Sequence, residues 1–226
     1  MKSTTSFLFI LCTLIFVAGS AFAVDERIHF WNVGVHPGLS LPGGTINNLQ
    51  TESVSLRASC EYAWSKRSSA GFEVGHDFGH RLDGELVVDI DHDGIMDYIK
   101  ATGNESVQIN QLTAFLKKGT ISDWGTWNSR LVRTFFIFGA GVYETVVHAG
   151  QYSLKGRSSG GMDLEGVTYP IQAERHANFG VNVGLGFDAQ VFGPGRLGFD
   201  FRYHRIIQPG DDSEYYIPSL RMGVVF

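Results

Sequence analysis

The 226 residues hold 18 Lys+Arg against 23 Asp+Glu, a formal net charge of −5 at pH 7. A mildly acidic chain has none of the basic footprint that nucleic-acid binding requires, and its length suits one β-domain. With 28 glycines and 13% aromatic residues, the composition favours strands and tight turns over helices.

In chain order, the first element is an export signal. Lys2 gives a basic start, Phe7 to Val17 an apolar run broken by Cys12 and Thr13, and Ala21-Phe22-Ala23 a small-residue cleavage site. The mature chain is expected to span 24–226. Leu11 stands before Cys12 where lipid attachment wants a small residue. No later stretch reaches the ~18 to 20 apolar residues of a spanning helix. Cys60 is the one cysteine left after cleavage, so no intramolecular disulfide is expected.

Eight strands follow from period-2 alternation. Phe30 to Leu41 is the first. In the second, Leu56, Ala58, Cys60, Tyr62 and Trp64 alternate with Arg57, Ser59, Glu61 and Ala63. Phe72 and Val74 among Gly71, Glu73 and Gly75 mark the third, and Val107 to Leu116 the fourth. Arg133 to Val146 carries Phe136, Phe138, Ala140 and Val142 around Gly139 and Gly141. From Asn178 to Val191 every odd position is apolar and every even one small or polar, and Leu197 to His204 repeats the pattern after the Gly193-Pro194-Gly195 turn. Leu220, Met222, Val224 and Phe226 close the chain, with Pro218 expected at the strand's entrance. A soluble sandwich would also alternate. Gly-rich polar faces instead suit the narrow interior of a closed barrel. The connections alternate too: short at Ser65 to Ser69 and Phe192 to Arg196, long near 79–105 and 147–177. That rhythm puts the short turns on the periplasmic side and the long loops outside. The segment from Gly119 to Ser129, with Trp124 and Trp127, joins the periplasmic set.

The export signal, Phe136-Ile137-Phe138-Gly139-Ala140-Gly141-Val142-Tyr143, Asn178-Phe179-Gly180-Val181-Asn182-Val183-Gly184-Leu185-Gly186 and the terminal Phe226 together resemble the small Gram-negative outer-membrane β-barrels, OmpW-type and OmpA-like. The resemblance implies an all-β, eight-stranded, antiparallel up-and-down transmembrane barrel in the outer membrane, with membrane lipid as its surroundings. It also implies that Leu220, Met222, Val224 and Phe226 form the signal read by the barrel-assembly machinery.

Two constellations could carry chemistry. Asp89-Ile90-Asp91-His92-Asp93-Gly94-Ile95-Met96-Asp97 matches D-x-D-x-D-G-x-x-D, in which alternate carboxylates wrap one hard cation. The motif resembles EF-hand-type loops. That likeness makes Asp89, Asp91, Asp93 and Asp97 side-chain ligands for a structural Ca²⁺ and Ile95 a carbonyl ligand, although Lys100 stands where the final Glu would be. The second set, Arg57, Glu61, Glu73, Asp77, Asp188, Asp200, Arg202, His204 and Arg221, lies on the polar phase of its strands. Eight strands leave an interior that side chains fill, so these charges are expected to pair and plug the lumen. Around His176 the sequence Glu174-Arg175-His176-Ala177-Asn178 lacks the serine that a lipid A-modifying enzyme would need. The expectation is therefore a non-enzymatic barrel with a structural or surface-contact role and a calcium-stabilised outer loop. The alternative is an OmpW-like conduit for small hydrophobic molecules.

Overall fold

A computed structural model describes residues 29–44, 50–65, 67–88, 94–95, 97–121, 132–156, 158, 160–192, 194–209 and 212–226. The export signal lies outside these residues, as do Trp124 and Trp127.

Period-2 alternation appears here as an inside-out pattern. Along β2 (Ser53–Ala63) the polar Ser55, Arg57, Ser59 and Glu61 are buried, while Val54 and Leu56 are exposed. The same phase holds along β1 (Phe30–Gly43), β3 (Ser68–Val88), β4 (Asp97–Ile121), β5 (Val132–Val147), β8 (Glu174–Phe192), β9 (Gly195–Ile207) and β10 (Ser213–Val225). Successive strands pair antiparallel, β5 pairs β8, and β1 pairs β10, so the sheet closes into an eight-stranded antiparallel barrel with no free edge. Trp31 and Phe226 exchange both backbone hydrogen bonds at the seam, at 2.8 and 2.9 Å.

Pro218 lies within β10 opposite Phe201, not at the strand's entrance. Proline has no N–H to give to the ladder, and along β1 and β10 the Cα partners run Val35↔Met222, then Gly38↔Ser219, then Leu41↔Tyr216. The register is kept while the ladder thins around Pro37 and Pro218.

The segments expected as long loops are largely strand. β3 and β4 continue past the wall as a hairpin, from His80↔Val107 to Val88↔Asp97, with register shifts between Asp77 and His80 and between Arg81 and Asp83. Between β5 and β8, β6 (Gly150–Lys155) pairs with this extended β4, and β7 (Thr168–Ile171) pairs with β6. The result is a four-stranded sheet standing beyond one end of the barrel. It has its own small core of Ala101, Leu154 and Leu164, packed by Tyr152 and Val167. The Tyr152 and Tyr169 rings stack at 5.5 Å.

Candidate functional site

Side chains fill the barrel interior in three levels, because the inward residue of each strand meets those of its neighbours at the same height. Nearest the short connections, Glu61 accepts from Lys117 Nζ and Ser69 Oγ, both at 2.5 Å, and from Arg133 at 3.5 Å. Asp188 lies 3.0 Å from Arg133, 3.7 Å from Arg196 and 3.8 Å from Lys117. At mid-height Arg202 grips Glu73 with two nitrogens at 2.8 and 2.9 Å. Asp200 accepts from Arg57 at 3.0 Å, Arg202 at 3.2 Å, Arg221 at 2.9 Å and Ser219 Oγ at 2.5 Å. Arg57 also donates to Ser219 and, at 3.4 Å, to Glu73. Arg221 joins the two levels, reaching Glu61 at 3.7 Å as well as Asp200.

The third level, towards the long connections, mixes apolar and polar side chains. Ile109, Tyr143, Ile206, Tyr215 and Ile217 pack together, with Tyr143 OH against His204 Nδ1 at 2.8 Å and His80 Nε2 3.7 Å from Asp77. A second apolar cluster, Phe115, Phe135 and Ile137, lies beside the charges. Phe135 offers its ring face to Lys117 at 4.5 Å and to Arg221 at 5.0 Å.

All nine residues picked from the sequence are buried inside: Arg57, Glu61, Glu73, Asp77, Asp188, Asp200, Arg202, His204 and Arg221. Lys117, Arg133, Arg196 and His36 also join the network and are not in the set expected from the sequence. Lys117 shares its phase with Gln111 and Thr113, so extending the fourth strand one residue past Leu116 would have found it. Each carboxylate in the two charged levels faces at least two cations, the condition under which buried charge is tolerated.

The outer surface is the reverse. Phe72 is 66% exposed, Phe136 67% and Leu185 57%, and Val54, Val74, Leu112, Val142, Leu197 and Leu220 continue the apolar belt around the circumference. A patch of that extent has no place in water; it is the band that a bilayer's hydrocarbon covers. Leu220, Met222, Val224 and Phe226 all face outward within it. Polar side chains bound the belt towards the long connections. His76 Nδ1 meets Asn110 Oδ1 at 2.7 Å, Asn110 Nδ2 donates to Glu144 at 3.0 Å, and Arg175 holds Glu144 with nitrogens at 2.6 and 3.0 Å. At the opposite rim Trp31 and Tyr62 pack at 5.0 Å between ring centroids and His29 Nδ1 meets the Tyr62 hydroxyl at 2.6 Å. Such aromatics suit a membrane interface.

Of the acidic motif, Asp89, Asp91 and Asp93 lie outside the described residues. Gly94 takes φ +86°, the left-handed backbone that a sharp ligand loop calls for. Ile95 is exposed, whereas Asp97 is buried where β4 begins, opposite Val88. Among the described residues no three His, Cys, Asp or Glu side chains converge as a metal site. His176 is exposed and bonded to Glu174 at 3.0 Å.

No family model and no curated protein matches the chain by sequence. Solved structures do match it. Neisserial surface protein A is 12% identical, with 87% of this chain and 97% of that one covered and a TM-score of 0.53. The attachment invasion locus protein Ail of Yersinia pestis, bound to the heparin analogue sucrose octasulfate, is 12% identical over 88% and 99% of the two chains, with a TM-score of 0.49. OprG, an outer membrane protein of Pseudomonas aeruginosa, is 12% identical over 89% and 98%, with a TM-score of 0.44. The fold is that of the small outer-membrane β-barrels.

Proposed function

We propose that this chain is a non-enzymatic outer-membrane barrel whose lumen is closed and whose folded outer sheet makes contacts at the cell surface. The observation that carries the reading is the filled interior. Two levels of paired charge and one of packed Ile and Tyr side chains occupy an eight-stranded bore that is only side-chain wide. The outer sheet supports the second half, since a protrusion with its own core is ordered before it meets a partner and loses little entropy on binding. Purified barrel in planar bilayers is expected to give no steady conductance. Reproducible single-channel steps would sink the closed-lumen reading and favour the conduit for small hydrophobic molecules.

The acidic hairpin tip is proposed to bind calcium in a structural role. The D-x-D-x-D-G-x-x-D spacing and the φ of Gly94 support it. Calcium is then expected to protect residues 79–105 from protease in the folded protein, and Asp91→Asn with Asp93→Asn to abolish that protection. Equal cleavage in calcium and in chelator would remove the ion from the account.

A further inference from the structure

A crevice of about 280 Å³ opens on the outer face of the wall, close to the short connections. Leu116 of β4, Phe136 and Phe138 of β5, and Val183 of β8 form its sides, and Trp64 from the β2–β3 turn stands at one end. At about 30 Å³ per water, it has room for roughly nine water volumes, comparable to a short length of hydrocarbon chain. The crevice meets polar groups where Lys118 and Ser68 close it. Lys118 is a direct neighbour of both Ser68 and Phe136 in the sheet, and its Nζ donates to Ser68 Oγ at 3.1 Å.

Two observations say what completes the site. Trp64 adds an aromatic wall to the apolar lining. Cationic groups also gather at this rim: Lys118 in the crevice and Arg67, exposed in the adjoining turn. Ser65 Oγ holds that turn by accepting from the backbone N–H of Arg67 at 3.2 Å and of Ser68 at 3.0 Å. An apolar slot ending in cationic groups is complementary to a hydrocarbon chain ending in an anionic phosphate ester.

We propose that this crevice binds one glycerophospholipid of the periplasmic leaflet. One acyl chain lies along Leu116, Phe138 and Val183 against Trp64, and the phosphate pairs with Lys118. The proposal rests on the outer-membrane reading above, which sets the short connections in the periplasmic leaflet.

The test is native mass spectrometry of the mature barrel in detergent, titrated separately with phosphatidylglycerol, with diacylglycerol and with lipid A. One retained phosphatidylglycerol per barrel is expected. Diacylglycerol lacks the phosphate and should be retained at least fivefold less. Lys118→Gln and the crevice-filling Leu116→Trp should each lower phosphatidylglycerol retention at least fivefold, and Lys118→Arg should keep it. Both positions face outward, so folding of the variants is checked by their heat-modifiable migration on gels. Equal retention of phosphatidylglycerol and diacylglycerol, unchanged retention in folded Lys118→Gln and Leu116→Trp, or preferential retention of lipid A would each overturn the proposal. Insertion into lipid vesicles is scored in parallel. Wild-type protein that fails to insert counts against the membrane reading, whereas insertion without selective retention counts against the crevice alone.

Discussion

Asp200→Asn is expected to lower the stability of the folded barrel by about 3 to 5 kcal/mol, the loss that follows when one partner leaves a buried ion pair. Asp200 is fully buried and accepts from Arg57, Arg202, Arg221 and Ser219, with His36 Nδ1 3.8 Å away. The amide preserves shape but removes the charge that holds three guanidinium groups together. Glu73 remains near Arg57 and Arg202, while Glu61 at 3.7 Å is the one carboxylate left to Arg221 among the described residues. Adding Arg221→Met should restore part of the loss, because it removes one uncompensated cation and the two sites share a contact. Guanidinium titration of vesicle-inserted protein, followed by tryptophan fluorescence, measures both variants. A loss below about 1 kcal/mol would show that water enters the lumen and screens these charges, which would weaken the closed-lumen reading as well.

Gly180→Val is expected to destabilise by about 3 kcal/mol or more, through overpacking rather than charge. A Cβ at Gly180 would meet two carbons of the Tyr143 ring at 2.6 Å and the backbone oxygen of Arg205 at 2.9 Å. The same pairing of glycine with a large inward neighbour recurs where Phe135 lies over Gly186 and Phe115 over Gly71. Inward glycines thus make the room that large side chains occupy in a narrow bore. Val181→Leu, one residue on and facing outward, serves as the control and should shift stability by no more than about 0.5 kcal/mol. The same titration compares the two. A well-folded Gly180→Val barrel of near wild-type stability would mean that Tyr143 can leave the packed third level.

Much of this architecture is legible in the alternation of the sequence, and what escapes it has physical causes. Strands such as Asn178 to Val191 separate apolar from small and polar residues at every position because one face meets hydrocarbon and the other a crowded interior. β4 hides its phase, since its inward set mixes Gln111 and Thr113 with Ile109 and Phe115. Apolar residues on both faces erase the contrast, and Lys117 lies one residue past the strand end expected at Leu116. Arg133 was seen at the start of its strand, but what it pairs with depends on which strands adjoin across the closed sheet. The extended hairpin of β3 and β4 replaces the loop expected near 79–105; glycines at 79, 84 and 103 interrupt its alternation. The usual rule for proline puts Pro218 at a strand entrance, whereas the thinned ladder at the seam accepts it mid-strand.

The interior network also determines when the barrel can become stable during assembly. Arg57 binds Asp200 across 143 residues of chain and Ser219 across 162, and Arg202 binds Glu73 across 129. Contacts of such high order reward the chain only after nearly all of it has been made. A chain lacking β9 and β10 would hold Arg57 without Asp200 and Glu73 without the two-nitrogen grip of Arg202, on a curled, open-edged sheet whose bare edge hydrocarbon cannot satisfy. Closure and completion of the mid-height network are therefore one event, and a half-built barrel has no stable resting state in the bilayer.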